Sequence, residues 1–250
     1  MNHIEILGVA ITLFSRREIL DEVQRYLAAT QQHQIVTVNP EFLVAAQHDN
    51  EFRAILNSAS LAVADGTGVL FAAKLFGKTV ARLPGIDLLW AICALAQKQN
   101  APIFLLGAAE GVAARAAETL RKKFPRLRIV GAESGGQNVD PSVPSPVLTR
   151  IQAAQPSVLF VAFGHGKQER WIARHLAKLS SVKVAVGVGG SFDYLAQVVP
   201  RAPLEWRSLG LEWLYRLIRQ PRRWKRIYRA IIVFSLLVLK QRIASLWKKR

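Results

Sequence analysis

The chain has 250 residues, of which 51% are hydrophobic, and its formal net charge is +17 at pH 7. This length is enough to bury one large hydrophobic core. Sixteen glycines, eleven prolines and one cysteine exclude a collagen-like, a low-complexity or a disulfide-rich chain. Because Cys93 has no cysteine partner, we expect a buried, reduced thiol and a cytoplasmic location.

Apolar segments of strand length alternate along the chain with segments of helical periodicity. The predicted strands cover residues 35–38, 61–64, 103–106, 128–130, 158–163 and 182–188. The predicted helices cover residues 16–28, 68–76, 86–99, 112–124, 147–154 and 168–179. Continuous Val, Ile and Leu strands joined by helices indicate a parallel sheet that is covered on both faces. The sequence therefore predicts a doubly wound, Rossmann-like α/β core over residues 1–200.

The pattern changes after Pro200, and residues 201–250, here called the appendage, are predicted to be helical and basic. Residues 205–219 have the spacing of an amphipathic helix, and Pro221 is placed to open a second helix. The appendage contains fourteen Lys or Arg residues against two acidic residues. Tryptophan and tyrosine rings among cations are typical of helices at a membrane interface. We expect docking on an anionic membrane surface; a solvated basic helix pair that packs on the core is the alternative.

Neither end of the chain is predicted to cross a membrane. Residues 1–8 lack the basic and apolar regions of a signal peptide. The longest charge-free apolar stretch, residues 230–239, has about ten residues, roughly half of what a spanning helix needs. The sequence therefore predicts a peripheral protein on the inner face of the cell membrane.

Polar residues follow five of the predicted strands at their carboxyl ends, where open parallel sheets bind ligands. Asp65 directly follows the strand 61–64, so a carboxylate at the strand tip can act as a general base towards an acceptor hydroxyl. The alternative is that Asp65 only caps the next helix. Thr37 and Asn39 face the same side if both are extended, and they either bind sugar hydroxyls or fix Asp65. Threonine is also a common strand residue, which is the simpler explanation of Thr37.

Several familiar motifs are missing from the sequence. It contains no G-x-G-x-x-G, no P-loop and no Asp-x-Asp, and its five histidines have no ligand spacing. We therefore expect no metal ion and no cofactor. Arg216, Arg223 and Arg226 share one helical side if Pro221 only kinks the chain, and guanidinium groups placed in this way can bind the oxygens of a diphosphate. The alternative is that these arginines are solvated surface charges.

Six blocks of the sequence resemble, in order and spacing, the WecG/TagA/CpsF family of glycosyltransferases over nearly the whole chain. The blocks are residues 37–41 (TVNPE), 64–68 (ADGTG), 82–88 (RLPGIDL), 164–169 (GHGKQE), 187–193 (GVGGSFD), and 201–203 with 210–216 (RAP and GLEWLYR). One departure is visible. The family commonly has Gly-x-Pro before Lys-Gln-Glu, whereas this chain has Gly164-His165-Gly166, which is expected to loosen the loop before Gln168.

The resemblance implies an inverting, metal-independent transfer from a UDP-sugar to a polyprenyl-diphosphate-linked sugar, in cell-wall, exopolysaccharide or surface-antigen synthesis. The implied sugar is N-acetylmannosamine, its uronic acid or another hexose. The resemblance also implies a role for each matching residue. It implies that Asp65 is the base and that Thr37 and Asn39 are its neighbours in the acceptor and sugar pocket. Arg82 and Gln168 are implied as polar active-site groups, and Asp193 as a contact of the nucleotide. Arg216, Arg223 and Arg226 are implied to complete the site at the membrane.

Two other classes of function compete with glycosyl transfer. A nucleic-acid-binding protein would use the basic appendage as a phosphate clamp. Nucleic-acid binding would not explain the glycines and carboxylates at the strand ends of the core, so we expect no nucleic-acid partner. A nucleotide-dependent oxidoreductase would be expected to contain the G-x-G-x-x-G fingerprint, which this sequence lacks.

Related proteins also suggest a homo-oligomer that associates through apolar core surfaces.

Overall fold

The computed structural model describes residues 2–135 and 146–247. The strands are β1 (His3–Ile6), β2 (Val9–Thr12), β3 (His33–Val38), β4 (Leu61–Ala64), β5 (Ile103–Gly107), β6 (Ile129–Glu133), β7 (Val158–Ala162) and β8 (Val184–Gly187). The α-helices are α1 (Arg16–Ala28), α2 (Pro40–Ala45), α3 (Asn50–Ser58), α4 (Thr67–Leu75), α5 (Gly85–Lys98), α6 (Val112–Lys123), α7 (Pro146–Ala154), α8 (Lys167–His175), α9 (Ser191–Leu195), α10 (Leu204–Ser208), α11 (Glu212–Arg219), α12 (Trp224–Tyr228) and α13 (Phe234–Trp247).

Six strands form one parallel sheet in the order β4-β3-β8-β7-β5-β6. Alternate side chains of each strand point to opposite faces of this sheet. In β5, Ile103 and Leu105 pack in a hydrophobic cluster with α1, α5 and α6, whereas Phe104 and Leu106 pack in another with α7 and α8. Helices thus cover both faces, and the predicted doubly wound α/β fold is confirmed.

The N-terminal residues form an antiparallel hairpin, β1–β2, that the sequence did not predict. Its two-residue turn consists of Leu7 and Gly8, which both have positive φ, at 52° and 75°. Such turns favour Asn-Gly or Asp-Gly, so leucine at the first position gave no recognisable turn signal. Helices α3 and α9 were also not predicted, and α9, with five residues, is too short to show a helical period.

The appendage begins with two helices where the sequence predicted one over residues 205–219. Gly210 has φ +73° and lies between α10 and α11. A glycine in this left-handed conformation commonly ends a helix. A Cβ at Gly210 would lie 2.8 Å from Thr67 Cγ2, so the turn also packs closely on the start of α4. The prediction of one continuous helix is therefore wrong.

The second predicted helix is present and runs without interruption over Trp224–Trp247, here called the long helix. It consists of α12, a π-helical turn at Arg229–Val233, and α13. With 24 residues it is long and apolar enough, by length and composition, to cross a membrane. The sequence estimate of about ten residues was too short because it counted only the charge-free stretch, and the helix continues through Lys240 and Arg242.

One side of the long helix packs on the core. Phe234 and Val238 are buried in the hydrophobic cluster that includes the β1–β2 hairpin, and the Leu7 backbone N–H donates to Gln241 Oε1 at 2.9 Å. Another side carries exposed apolar residues, most of them spaced three or four apart, which places them in one line along the helix. This apolar stripe consists of Tyr228, Ile232, Leu236, Leu239, Ile243, Leu246 and Trp247.

Candidate active site

A cavity of about 770 Å³ lies at the carboxyl ends of β3, β4, β7 and β8. Its volume is typical of small-molecule sites. Eight of the nine predicted site residues line it, namely Thr37, Asn39, Asp65, Arg82, Gln168, Asp193, Arg216 and Arg226. The side chain of the ninth, Arg223, lies outside the described residues. The structure thus brings the predicted residues together, whereas their roles in the reaction stay predictions.

Asp65 lies directly after β4 and its carboxylate accepts a hydrogen bond from the backbone N–H of Gly85, the first residue of α5. Helix α4, which follows Asp65 in the chain, begins at Thr67 after the N-cap residue Gly66, so the observed contact of the Asp65 carboxylate is with the first residue of a different helix, α5. Burial raises the pKa of Asp65 to about 6, against the opposing effect of Arg82. At neutral pH the carboxylate is therefore ionised and more basic than an ordinary aspartate.

Thr37 and Asn39 both face the cavity from the end of β3, as their alternation predicts. The Thr37 side chain is 5% exposed, and its hydroxyl donates to the carbonyl of Gly187 at 3.3 Å. The Asn39 Oδ1 accepts from the Phe42 backbone N–H at 3.1 Å and caps α2. Each side chain therefore fixes part of the cavity wall.

Gln168 connects two loops beneath the cavity. It is 2% exposed, its Nε2 donates to Glu169 Oε1 at 2.7 Å, and its Oε1 accepts from the Gly189 backbone N–H at 3.0 Å. These contacts hold the beginning of α8 against the loop that follows β8. Gln168 is thus a buried connector that also reaches the cavity.

The loop before Gln168 has a geometry that proline cannot adopt. Gly166 has φ +74°, and its backbone N–H donates to Glu169 Oε2 at 2.9 Å. Proline fixes φ near −65° and has no N–H. The loop conformation at Gly166 therefore differs from any that the proline common in the family could adopt. Gln168 nevertheless lines the cavity.

Arg216 reaches the cavity from α11 and lies against the loop after β8. Its guanidinium is 5.1 Å from the centre of the Tyr194 ring. A Cβ at Gly190 would be 3.3 Å from Arg216 Nη2 and 3.4 Å from Asp193 Oδ2. The cation of the appendage and the carboxylate of α9 therefore converge beside Gly190 on the cavity wall.

Arg226 reaches the cavity from α12, so Arg216 and Arg226 belong to two helices and do not share one side of a kinked helix. Between these helices, Gln220 is extended with φ −136° and ψ 73°. Arg226 donates to both carboxylate oxygens of Glu41, each at 2.7 Å. The prediction of a shared helical side is wrong, because the extended Gln220 breaks the helix.

Arg82 holds the appendage to the core. Its Nε donates to the carbonyl of Asp65 at 3.0 Å, its Nη1 to the carbonyl of Arg207 at 3.3 Å, and its Nη2 to Glu212 at 3.1 Å. Glu212 and Glu41 pair with two of the predicted arginines but were not among the predicted site residues. Glu212 is one of only two acids in the basic appendage, a signal that it shares with Glu205.

The cavity also has an apolar wall that the sequence did not reveal. Phe71 of α4, which is 70% exposed, lines the cavity together with Trp213, Ile231 and Phe234 of the appendage. The polar groups at the strand ends and this apolar wall suit a ligand that has a charged part and a hydrocarbon part. Within residues 2–135 and 146–247, no three His, Cys, Asp or Glu side chains are grouped so that they could hold a metal ion.

The model of the glycosyl transferase WecG/TagA/CpsF family matches residues 4–248. The chain belongs to this family. It is therefore a glycosyltransferase, and the resemblance found in the six sequence blocks is confirmed. Family membership favours glycosyl transfer over the alternatives of nucleic-acid binding and nucleotide-dependent oxidation and reduction.

Two relatives illustrate the likeness, and both carry the name N-acetylglucosaminyldiphosphoundecaprenol N-acetyl-beta-D-mannosaminyltransferase. The protein of Bacillus spizizenii is 36% identical over 212 residues, which is 84% of this chain and 80% of that protein. The protein of Staphylococcus aureus strain MRSA252 is 34% identical over 229 residues, which is 90% of this chain and 87% of that protein.

The absence of a side chain at Gly187 is expected to be essential for the buried pair beneath the cavity. A Cβ there would lie 2.5 Å from Glu169 Oε1 and 2.6 Å from Gln168 Nε2. We expect Gly187→Ala to lower the free energy of unfolding in urea by about 1–3 kcal/mol, because the pair must move. Gly85→Ala is the control, since its Cβ would meet only ordinary contacts at 3.6 Å or more. Equal stability of the two variants would contradict this prediction.

Proposed function

We propose that this glycosyltransferase moves N-acetylmannosamine from a UDP-sugar to an N-acetylglucosamine unit that is linked through diphosphate to a polyprenol. The product would serve the synthesis of cell-wall or surface polysaccharide. The names of the two relatives support the sugar and the acceptor. The observation that carries the proposal is the buried carboxylate of Asp65 in a cavity that also contains an appendage arginine and an apolar wall.

In the proposed reaction, the Asp65 carboxylate accepts the proton of the acceptor hydroxyl as its oxygen attacks the anomeric carbon of the donor. The new glycosidic bond forms on the face opposite the leaving group, so the configuration inverts. The electron pair of the broken bond leaves with the UDP phosphate. A base whose pKa is about 6 is both ionised and effective near neutral pH.

The developing charge on UDP is proposed to be stabilised by arginine without a metal ion. Arg216 is the best supported of the three appendage arginines, because it converges with Asp193 beside Gly190. Guanidinium groups bind diphosphate oxygens with two parallel hydrogen bonds. Arg226 would join only after exchanging Glu41 for a phosphate. We further propose that Asp193 contacts the nucleotide and that Thr37 and Asn39 form the sugar pocket.

The lipid of the acceptor is proposed to leave the cavity across Phe71 and Ile231. The apolar stripe of the long helix begins next to this wall and is exposed over about five turns. We propose that the stripe lies in the surface of the inner leaflet, with the appendage cations near anionic headgroups. The contacts of Phe234 and Val238 with the core support this peripheral position, because a membrane-spanning helix would have to give them up.

Replacing the proposed base tests the mechanism directly. We expect Asp65→Asn to reduce the transfer rate at least about a hundredfold, since it removes the proton acceptor. In the unmodified enzyme, the rate should fall as the pH drops through about 6, because Asp65 becomes protonated. Asp21→Asn, on the exposed side of α1, is the control. A rate that is unchanged in Asp65→Asn would exclude Asp65 as the base.

Thermal unfolding with added nucleotide tests the donor. UDP at about a hundred times its dissociation constant should add roughly 2.7 kcal/mol of stability. We expect the same stabilisation in the presence of EDTA, and its loss in Asp193→Ala. Stabilisation that requires a divalent ion would contradict metal independence, and stabilisation by NAD or DNA but not by UDP would contradict the proposed donor.

The apolar wall can be tested with acceptors that differ only in their lipid. In detergent, Phe71→Ser should raise the KM for a long polyprenyl acceptor roughly tenfold, because hydrocarbon contact is lost. The KM for an acceptor with a short, water-soluble alkyl chain should not change. Val198→Ser removes an exposed apolar side chain elsewhere and serves as the control. An equal change for both acceptors would contradict the proposed lipid path.

A further inference from the structure

A line of alternating charges joins the core to the beginning of α11. Asp87 of α5 accepts from Arg201 through both oxygens, at 2.7 and 2.9 Å. Arg201 Nε lies 3.9 Å from Glu212 Oε1, and Arg82 Nη2 donates to Glu212 Oε2 at 3.1 Å. Each oxygen of the Glu212 carboxylate therefore faces a different arginine. Glu212 is the junction between these two ion pairs.

The junction is close to the proposed base and shielded from water. Arg82 contacts Glu212 through one nitrogen and the Asp65 carbonyl through another. The side chains of Arg82, Arg201 and Glu212 are between 15% and 22% exposed. Ion pairs that are largely buried are screened less by salt than surface pairs. A change at Glu212 is thus transmitted to Asp65 through a single residue.

The same residue sets the position of the leaving-group arginine. Glu212 is the first residue of α11, and Arg216 follows it by four residues, on the same side of the helix. Arg216 makes its contact with the Tyr194 ring from this position. Because Glu212 lies between Arg82 and Arg201, the beginning of α11 is fixed on the core. Arg216 reaches the cavity from the next turn of this helix.

We infer that Glu212 is a positioning residue for sugar transfer, which holds α11 on the core through Arg82 and Arg201 so that Arg216 and Asp65 face the same substrate. This inference rests on the proposed function. Glu212 does not touch the reacting atoms, and it acts through its two arginines. The appendage, although strongly basic, is thus secured to the active site by one of its own two acids.

The charges around Asp65 give this inference a distinctive signature. Arg82, Glu212 and Arg216 are the charged groups that act on Asp65, and of these only Glu212 raises its pKa. Removing the Glu212 charge therefore lowers the pKa of Asp65. The pH at which the rate falls on acidification should move downward. A change in packing that left the burial and the charged neighbours of Asp65 unaltered would reduce the rate without moving this midpoint.

The test compares Glu212→Gln with Glu205→Gln, which removes the other, exposed acid of the appendage. For Glu212→Gln we expect kcat to fall roughly ten- to a hundredfold, since small misplacements of catalytic groups cost this much. We also expect a lower pH midpoint and faster amide hydrogen exchange over residues 212–219. Glu205→Gln should match the unmodified enzyme, and Glu212→Asp should restore the pH midpoint.

The outcomes separate this inference from the proposed function. Unmodified enzyme that fails to transfer the sugar would overturn the proposed function. The hydrogen-exchange comparison would still test whether Glu212 holds α11 on the core. If transfer occurs but Glu212→Gln keeps the rate, the midpoint and the exchange of the unmodified enzyme, the inference is overturned. A slower rate with an unmoved midpoint and unchanged exchange would also overturn it.

Discussion

The pairing of β3 with β8 is the constraint on which the site depends, because it joins segments of the chain that are about 150 residues apart. The ladder pairs His33 with Val184 and continues to Ile35 with Val186. The Thr37 hydroxyl extends this connection to Gly187. Since β4 lies outside β3 and β7 lies beside β8, the ends of all four strands meet at one edge. Neither half of the sheet contains enough of the cavity wall to form the site alone.

Electrostatics in this protein works at two ranges. The large positive charge of the appendage is a property of its surface, where it attracts anionic partners. Where the appendage meets the core, individual acids decide the arrangement, since Glu41 pairs with Arg226 and Asp87 with Arg201. These ion pairs hold the appendage at defined positions on the core, although its many cations repel one another. The net charge of the appendage therefore says little about how it is attached.

The sequence predicted the fold and the composition of the site where local pattern determines structure. Continuous apolar runs located the six parallel strands, and the strand-end rule located Asp65 and Gln168, because carboxyl ends converge in a parallel sheet. The turn at Leu7, the break at Gly210 and the full length of the long helix were missed or wrong. The first two depend on single backbone conformations. The partners of Arg82 and Arg226 were missed because ion pairs between distant segments produce no periodic pattern in the sequence.

The π-helical turn at Arg229–Val233 lies where the long helix passes from the cavity, which Ala230 and Ile231 line, to the core, on which Phe234 and Val238 pack. Such a turn contains one residue more than an α-helical turn. Each residue rotates a helix by about 100°, so this extra residue sets the angle between the cavity wall and the apolar stripe. In evolutionary terms, loss of a single codon here would rotate the stripe from Leu236 onward by about 100° relative to Arg226 and the cavity. Selection should therefore act on the length of this segment more strongly than on the identity of its side chains.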